Sequence, residues 1–187
     1  MANLDINKSS TALVVIDLQK GIVFGRTQGP YTGEAVLKNA NLLADACRKE
    51  HIPVILVNVK PNPGLKPDAD EVMHATPGPD WADLVITVKP EDILITKKQW
   101  GAFYGTDLEL QLRRRDITTI ILCGISTNIG VESTARFAYE YGFNQVFVED
   151  AMTAGNSTGH ATSIQQIFKR IGKVRTTQEV IDAINHG

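Results

Sequence analysis

Runs of apolar, largely β-branched residues alternate with helix-spaced apolar patterns along the whole chain, and that alternation most narrows its possible folds. Thr11-Ala-Leu-Val-Val-Ile-Asp17 predicts a strand whose unbroken apolar middle suits burial on both faces. Val36, Ala40, Leu43 and Cys47 recur at helical spacing and predict a helix ending near His51. Ile52 to Val59 is the next strand, with Pro53 at its start where no ladder donor is lost. Asp92–Lys97, Thr118–Ser126 and Gln145–Asp150 predict three more strands, and Val174 marks a short sixth. Between them lie three helices. Leu108 and Leu112 follow a Thr106…Glu109 capping box, Val131, Ala135, Ala138 and Tyr141 run up to Gly142, and Ile164, Ile167, Phe168 and Ile171 stop at Gly172. A second capping box, Thr176…Glu179, opens the last helix. Strand and helix in alternation imply a parallel sheet with helices on both faces, joined by right-handed crossovers.

The chain has 187 residues, which favours one domain, here 1–187, over two of about 150 residues each. Its net charge of −2 and pI of about 6.1 lack the basic footprint of a nucleic-acid protein. The longest apolar runs hold about five residues, against the roughly 20 that span a bilayer. Met1 to Ser10 shows no secretory pattern, and Cys47 and Cys123 make no disulfide framework. A cytoplasmic protein without nucleic-acid or membrane partners is expected. One stretch breaks the rhythm: Lys60 to Glu91 carries six of the eight prolines. It either covers a pocket or packs on a sister subunit.

In an open parallel sheet, ligands bind beyond the carboxyl ends of the strands, where the strand order reverses. Strand-end polar residues are therefore the candidates: Asp17 after the first strand, Lys97 after the third, and the turn Gly124-Ile-Ser-Thr-Asn-Ile-Gly130 after the fourth. Backbone N–H groups at a helix N-terminus would stabilise negative charge on a substrate oxygen. A lysine beside the aspartate would set its charge state. Against this stands the plainer reading of a strand-end Asp as a helix cap or loop hydrogen-bonder.

At these residues the sequence resembles the isochorismatase-like, or cysteine hydrolase, superfamily. The resemblance rests on Val14-Val-Ile-Asp-Leu-Gln19, on Ile95-Thr-Lys-Lys-Gln-Trp-Gly-Ala-Phe103 with Gly105-Thr-Asp-Leu108, and on Cys123-Gly-Ile-Ser-Thr-Asn-Ile-Gly-Val-Glu-Ser-Thr-Ala135. It implies a Rossmann-like three-layer α/β/α sandwich with a six-stranded, mostly parallel sheet. It also implies an Asp, Lys, Cys triad, often with a cis peptide in the turn before the cysteine; whether the Ser126–Thr127 bond is cis stays open. Asp17 matches the aspartate and Lys97 the lysine, while the cysteine position falls on Gly130. A glycine supplies no nucleophile, so the family's covalent acyl transfer is excluded here. Isochorismatases share that glycine and are understood to hydrolyse a vinyl ether, the aspartate acting as general acid with the lysine and a water. They tend to carry arginine two residues after the lysine, where this chain has Gln99, which cannot pair bidentately with a carboxylate.

The resemblance places Gln19 and Phe24 after Asp17, and Gln99 after Lys97, at the substrate pocket; Trp100 is a candidate aromatic wall, and Thr127 and Asn128 before Gly130 are candidates to shape the N–H cradle. Cys123 lies within a strand and Cys47 on an apolar stripe, and both read as buried structural thiols. Gly155-Asn-Ser-Thr-Gly159 matches the G-x-S-x-G pattern, but Ala151 to Ala154 intervene after the strand, so Asn156 or Ser157 reads as a helix cap. His74, with Asp68, Asp70 and Glu71, reads as a solvated loop, so no metal is expected. Arg113-Arg-Arg115 reads as a helix C-terminus meeting its dipole. The expectation is a cofactor-free hydrolase of a small organic molecule, working by Asp17/Lys97 acid–base chemistry and, by the resemblance, a homo-oligomer (dimer or tetramer). The alternative is a catalytically silent ligand-binding or regulatory module.

Overall fold

The computed structural model describes residues 4–25, 28–60 and 78–186. Its sheet has six strands: β1 (Thr11–Ile16), β2 (Val54–Val59), β3 (Ile93–Lys97), β4 (Thr119–Ile125), β5 (Asn144–Thr153) and β6 (Lys173–Arg175). Every pairing is parallel, and the order is β3-β2-β1-β4-β5-β6. The chain winds outward from β1 in one direction and from β4 in the other, so the order reverses between these two central strands. Right-handed crossovers in opposite directions place helices on opposite faces.

The helices are α1 (Lys20–Val23), α2 (Gly33–Lys49), α3 (Leu108–Arg113), α4 (Glu132–Glu140), α5 (Ser157–Thr162), α6 (Lys169–Ile171) and α7 (Thr177–His186). Two π-helical segments, Thr127–Val131 and Ser163–Phe168, lead into α4 and α6. α2 packs on β1, β4 and β5 and against α7; α4 packs on β5 and against α6. The predicted stripe of α2 is fully buried at Val36, Ala40, Leu43 and Cys47. All six residues of β1 are buried, as expected for a central strand covered on both faces. Arg48 at the end of α2 donates from Nε and Nη2 to Asp92 (3.0 and 2.7 Å), tying that helix to the start of β3.

Three sequence expectations change in detail. The fifth strand runs on to Thr153 rather than stopping at Asp150, because its register against β4 slips between Leu122 and Gly124. The Thr106…Glu109 box forms only half: Thr106 Oγ1 accepts from Leu108 N, while Glu109 pairs with Arg113 at 3.6 Å. Gly172 ends its helix in extended backbone, and its absent side chain is a matter of space. A Cβ there would stand 2.5 Å from the Gln145 carbonyl oxygen. The Thr176…Glu179 box is complete, with the Thr176 N–H donating to Glu179 Oε2 and the Glu179 N–H to Thr176 Oγ1.

Much of the proline-rich connection, 61–77, lies outside the described residues, as do Asp68, Asp70, Glu71 and His74. From Gly78 onward it covers the loop that follows β1. The N–H groups of Lys20, Gly21 and Val85 donate to the carbonyls of Asp83, Trp81 and Leu18, respectively.

The two central strands meet at a glycine. Gly124 sits at φ +122, paired with Ile16, and a Cβ there would fall 2.1 Å from the Ile16 carbonyl oxygen. Backbone strain and overpacking each cost about 1–3 kcal/mol. Gly124→Ala is therefore expected to lower unfolding free energy by about 2–5 kcal/mol, read as a lower urea midpoint with an unchanged slope.

Candidate active site

Asp17 is the first residue past β1, and its backbone is left-handed at φ +54. Its N–H still donates to the Val57 carbonyl at 2.8 Å, so the turn away from the sheet begins with the ladder intact. The residue is 4% exposed. Lys97, the last residue of β3, is 2% exposed and sits beyond the intervening β2. Its stem spans that strand, and Nζ donates to Asp17 Oδ2 at 2.7 Å and to the Gln99 carbonyl at 3.1 Å. Asp17 Oδ1 is buried and has no hydrogen-bond partner among the described residues. Burial pushes the Asp17 carboxyl up to about 6, outweighing the downward pull of Lys97.

Gly130 completes the group. A Cβ at this position would stand 3.1 Å from Asp17 Oδ2 and 3.1 Å from the Ile16 side chain. A side chain growing from residue 130 would thus point at the ion pair. The turn that carries it is π-helical, with the N–H groups of Ile129 and Val131 both donating to the Ser126 carbonyl. Thr134, one turn on, donates from Oγ1 to the Gly130 carbonyl (2.7 Å) and accepts from the Ala102 N–H (3.1 Å). The cis peptide in this region is Ile125–Ser126, one bond earlier than the Ser126–Thr127 link considered from the sequence.

The remaining candidate residues are placed unequally. Gln19 is fully buried, but its amide is spent on backbone: Nε2 donates to the carbonyls of Val59 and Trp81, and Oε1 accepts from the Val59 N–H. It braces the loop after Asp17 against the end of β2. Gln99 donates its amide N–H to the Tyr104 carbonyl, so that side chain is folded into its own loop. Phe24 and Trp100 are largely exposed, at 58% and 66%. Thr127 is fully buried, whereas Asn128 is exposed and lies against Gly159.

His160 and Thr134 were not among the candidates. His160 is buried on α5, and its Nδ1 is 2.9 Å from Thr127 Oγ1. The signal was present: His160, Ile164 and Phe168 recur four residues apart and are all buried, so the stripe begins with a polar residue. Burial lowers the His160 pKa, which keeps the ring neutral.

Burial pushes both thiols up, Cys47 to about 12, so neither supplies a thiolate at neutral pH. In Gly155–Gly159 the strand-to-helix turn is tighter than expected, because β5 reaches Thr153. The cap is nonetheless formed, with Asn156 Oδ1 accepting from the Gly159 N–H at 2.8 Å. The Arg113 guanidinium lies 4.2 Å over the Phe143 ring and donates to the Tyr141 carbonyl. Among the described residues, no three His, Cys, Asp or Glu side chains cluster as metal ligands would, and no helix is long and apolar enough to cross a membrane.

Comparison with known proteins identifies the family. The isochorismatase domain model matches residues 11–179. The chain is 48% identical to the uncharacterized isochorismatase family protein YwoC of Bacillus subtilis (strain 168), over 98% of this chain and 99% of that one. It is equally identical to the uncharacterized isochorismatase family protein YecD of Escherichia coli O157:H7, over 97% and 100%. An isochorismatase family protein from Burkholderia thailandensis superposes with a TM-score of 0.86 at 41% identity, covering 97% of this chain and 98% of that one. The chain belongs to the isochorismatase family and is a hydrolase of that family.

The raised Asp17 pKa carries a pH dependence of stability. Between its ordinary value of 3.8 and about 6 the folded state binds a proton that the unfolded chain has released. Folding stability contributed by this group therefore falls as pH rises through that window. Thermal unfolding of wild type and Asp17→Asn side by side is expected to show the wild type losing ground to the variant between pH 4 and pH 7. A constant difference between the two would contradict the assignment.

Proposed function

We propose that this hydrolase acts on a small organic substrate without a covalent enzyme intermediate, with Asp17 as general acid and base. One observation carries the reading: a carboxyl held near pH 6 keeps Oδ2 on Lys97, beside a residue without a side chain, and leaves Oδ1 buried with no partner among the described residues. A group poised near neutrality with a free oxygen is suited to move protons rather than to hold structure. Gly130 supports the non-covalent route, since it offers no nucleophile at the point facing the pair.

The chemistry that fits is hydrolysis of a vinyl ether. Protonated Asp17 gives its proton to the terminal vinyl carbon, and the ether carbon becomes an oxocarbenium ion. Water adds to that carbon and returns a proton to the carboxylate. The hemiketal then breaks its C–O bond, passing its hydroxyl proton to the departing alcohol. No step requires a protein nucleophile, and the carboxyl ends as it began. Lys97 holds Oδ2 throughout and stabilises the carboxylate formed after proton donation. The inward-folded Gln99 side chain, in place of a guanidinium, favours a substrate with fewer carboxylates than a dicarboxylic acid.

The test is pyruvate release from isochorismate and from simpler enolpyruvyl ethers, by wild type and by Asp17→Asn. Activity is expected with the less charged ethers and is expected to drop about 10²–10⁴-fold in the variant. Because the acid form is required, kcat/KM should fall as pH rises through about 6. Turnover by Asp17→Asn at the wild-type rate would overturn the proton-transfer role. A wild type that hydrolyses none of these ethers but binds them would point instead to a ligand-binding module.

A further inference from the structure

The turn that carries Gly130 does not rest on the sheet alone. It is seated on one face of the helix that follows β5, through three successive contacts. Asn128 lies over Gly159, where a Cβ would stand 2.8 Å from its Nδ2, so the closeness of that approach depends on glycine. His160 Nδ1 meets Thr127 Oγ1 at 2.9 Å, both residues buried. Ser163 Oγ donates to Glu132 Oε2 at 2.6 Å, and Glu132 also accepts from Arg136 Nε. Gly159, His160 and Ser163 share a helix face by their spacing, and residues 127, 128 and 132 lie across from them.

Of these contacts only the middle one is fully withdrawn from water. The His160 ring is edge-on to Tyr31, with centroids 6.0 Å apart, and its Nε2 is buried without a partner among the described residues. A buried histidine that leaves one nitrogen unsatisfied costs more than an apolar residue of its size, unless its other nitrogen does something the fold needs. What it holds is the hydroxyl three residues before Gly130, while Thr134 holds the Gly130 carbonyl from the other side. The charged groups around the turn are Asp17 with Lys97 toward the sheet and Glu132 with Arg136 toward the surface.

We infer that His160 is a positioning residue for the Asp17 site, fixing through Thr127 the turn that brings Gly130 against the Asp17 carboxylate. The inference rests on the reading of Asp17 as the acid–base group, but its test needs no substrate. Gly130 helps to close Asp17 off from water, with its Cβ position 3.1 Å from Oδ2. If the turn shifts, water enters and the carboxyl returns toward the ordinary range.

The experiment is a carbon-13 NMR titration of the Asp17 carboxyl, identified by its loss in Asp17→Asn, in wild type, Thr127→Val, Thr127→Ser and His160→Ala. Thr127→Val keeps the shape and removes the hydroxyl; Thr127→Ser keeps the hydroxyl. The Asp17 midpoint is expected to fall by about one pH unit in Thr127→Val and His160→Ala and to stay at its wild-type value in Thr127→Ser. An unchanged midpoint in Thr127→Val, with wild-type circular dichroism, would overturn the inference even if His160→Ala fails to fold. So would equal shifts in Thr127→Val and Thr127→Ser. A wild type that turns over no vinyl ether would leave these titrations readable, so the two failures are separable.

Discussion

Two opposite charges, almost wholly removed from water and 2.7 Å apart, set the terms for the rest of this structure. Withdrawing each ion costs several kcal/mol, which the Asp17–Lys97 contact offsets only with good geometry. That geometry must be held across the full width of β2, since the partners end strands that do not touch. The fold answers with rigid backbone on every side. The Asp17 N–H stays in the ladder, the Lys60 N–H closes onto the Lys97 carbonyl, and the Gln19 amide clamps the loop to Val59 from both its ends. The compensation stops short of Oδ1, which has no partner among the described residues, and burial outweighs Lys97 and lifts the carboxyl to about 6.

The double winding explains why such a pair can be assembled at all. Between β1 and β4 the chain leaves in opposite directions, so no crossover helix covers the carboxyl ends of these strands. The gap is framed by the loop after β1 and by the π-helical turn after β4. Their separation depends on how closely the strands approach at Ile16 and Gly124. A side chain at 124 would part them, and with them the Gly130 turn and the aspartate.

The layered fold was readable because burial on both faces leaves an unbroken apolar signature, as in Ala12 to Ile16. Asp17 and Lys97 were readable because each closes a strand, Gly130 because the family resemblance marks its place in the turn after β4, and the structure brings these three together. Local pattern failed where long-range packing decided the outcome. The register slip in β5 involves residues that look like loop in isolation, and Gly172 stops its helix as expected but for want of space against Gln145 rather than by a left-handed turn. Gln19 was a natural pocket residue from its place beside Asp17. Its amide is consumed by main chain from distant segments, around Val59 and Trp81. His160 was passed over for the opposite reason: its partner, Thr127, is 33 residues away in sequence.

The left-handed backbone of Asp17 gives the site a cost that is independent of its charge. Non-glycine residues at positive φ carry a local penalty of about 1 kcal/mol or more, and asparagine and glycine bear the conformation more easily. At this position chain conformation and desolvation weigh against aspartate, and the buried Lys97 ammonium, which would be left unpaired without it, weighs in its favour. A laboratory lineage selected for heat resistance alone would drift toward losing the pair together, with asparagine or glycine at 17 and an apolar residue at 97. It would gain robustness while discarding the Asp17 carboxyl, so a screen meant to improve this protein has to reward turnover as well as survival.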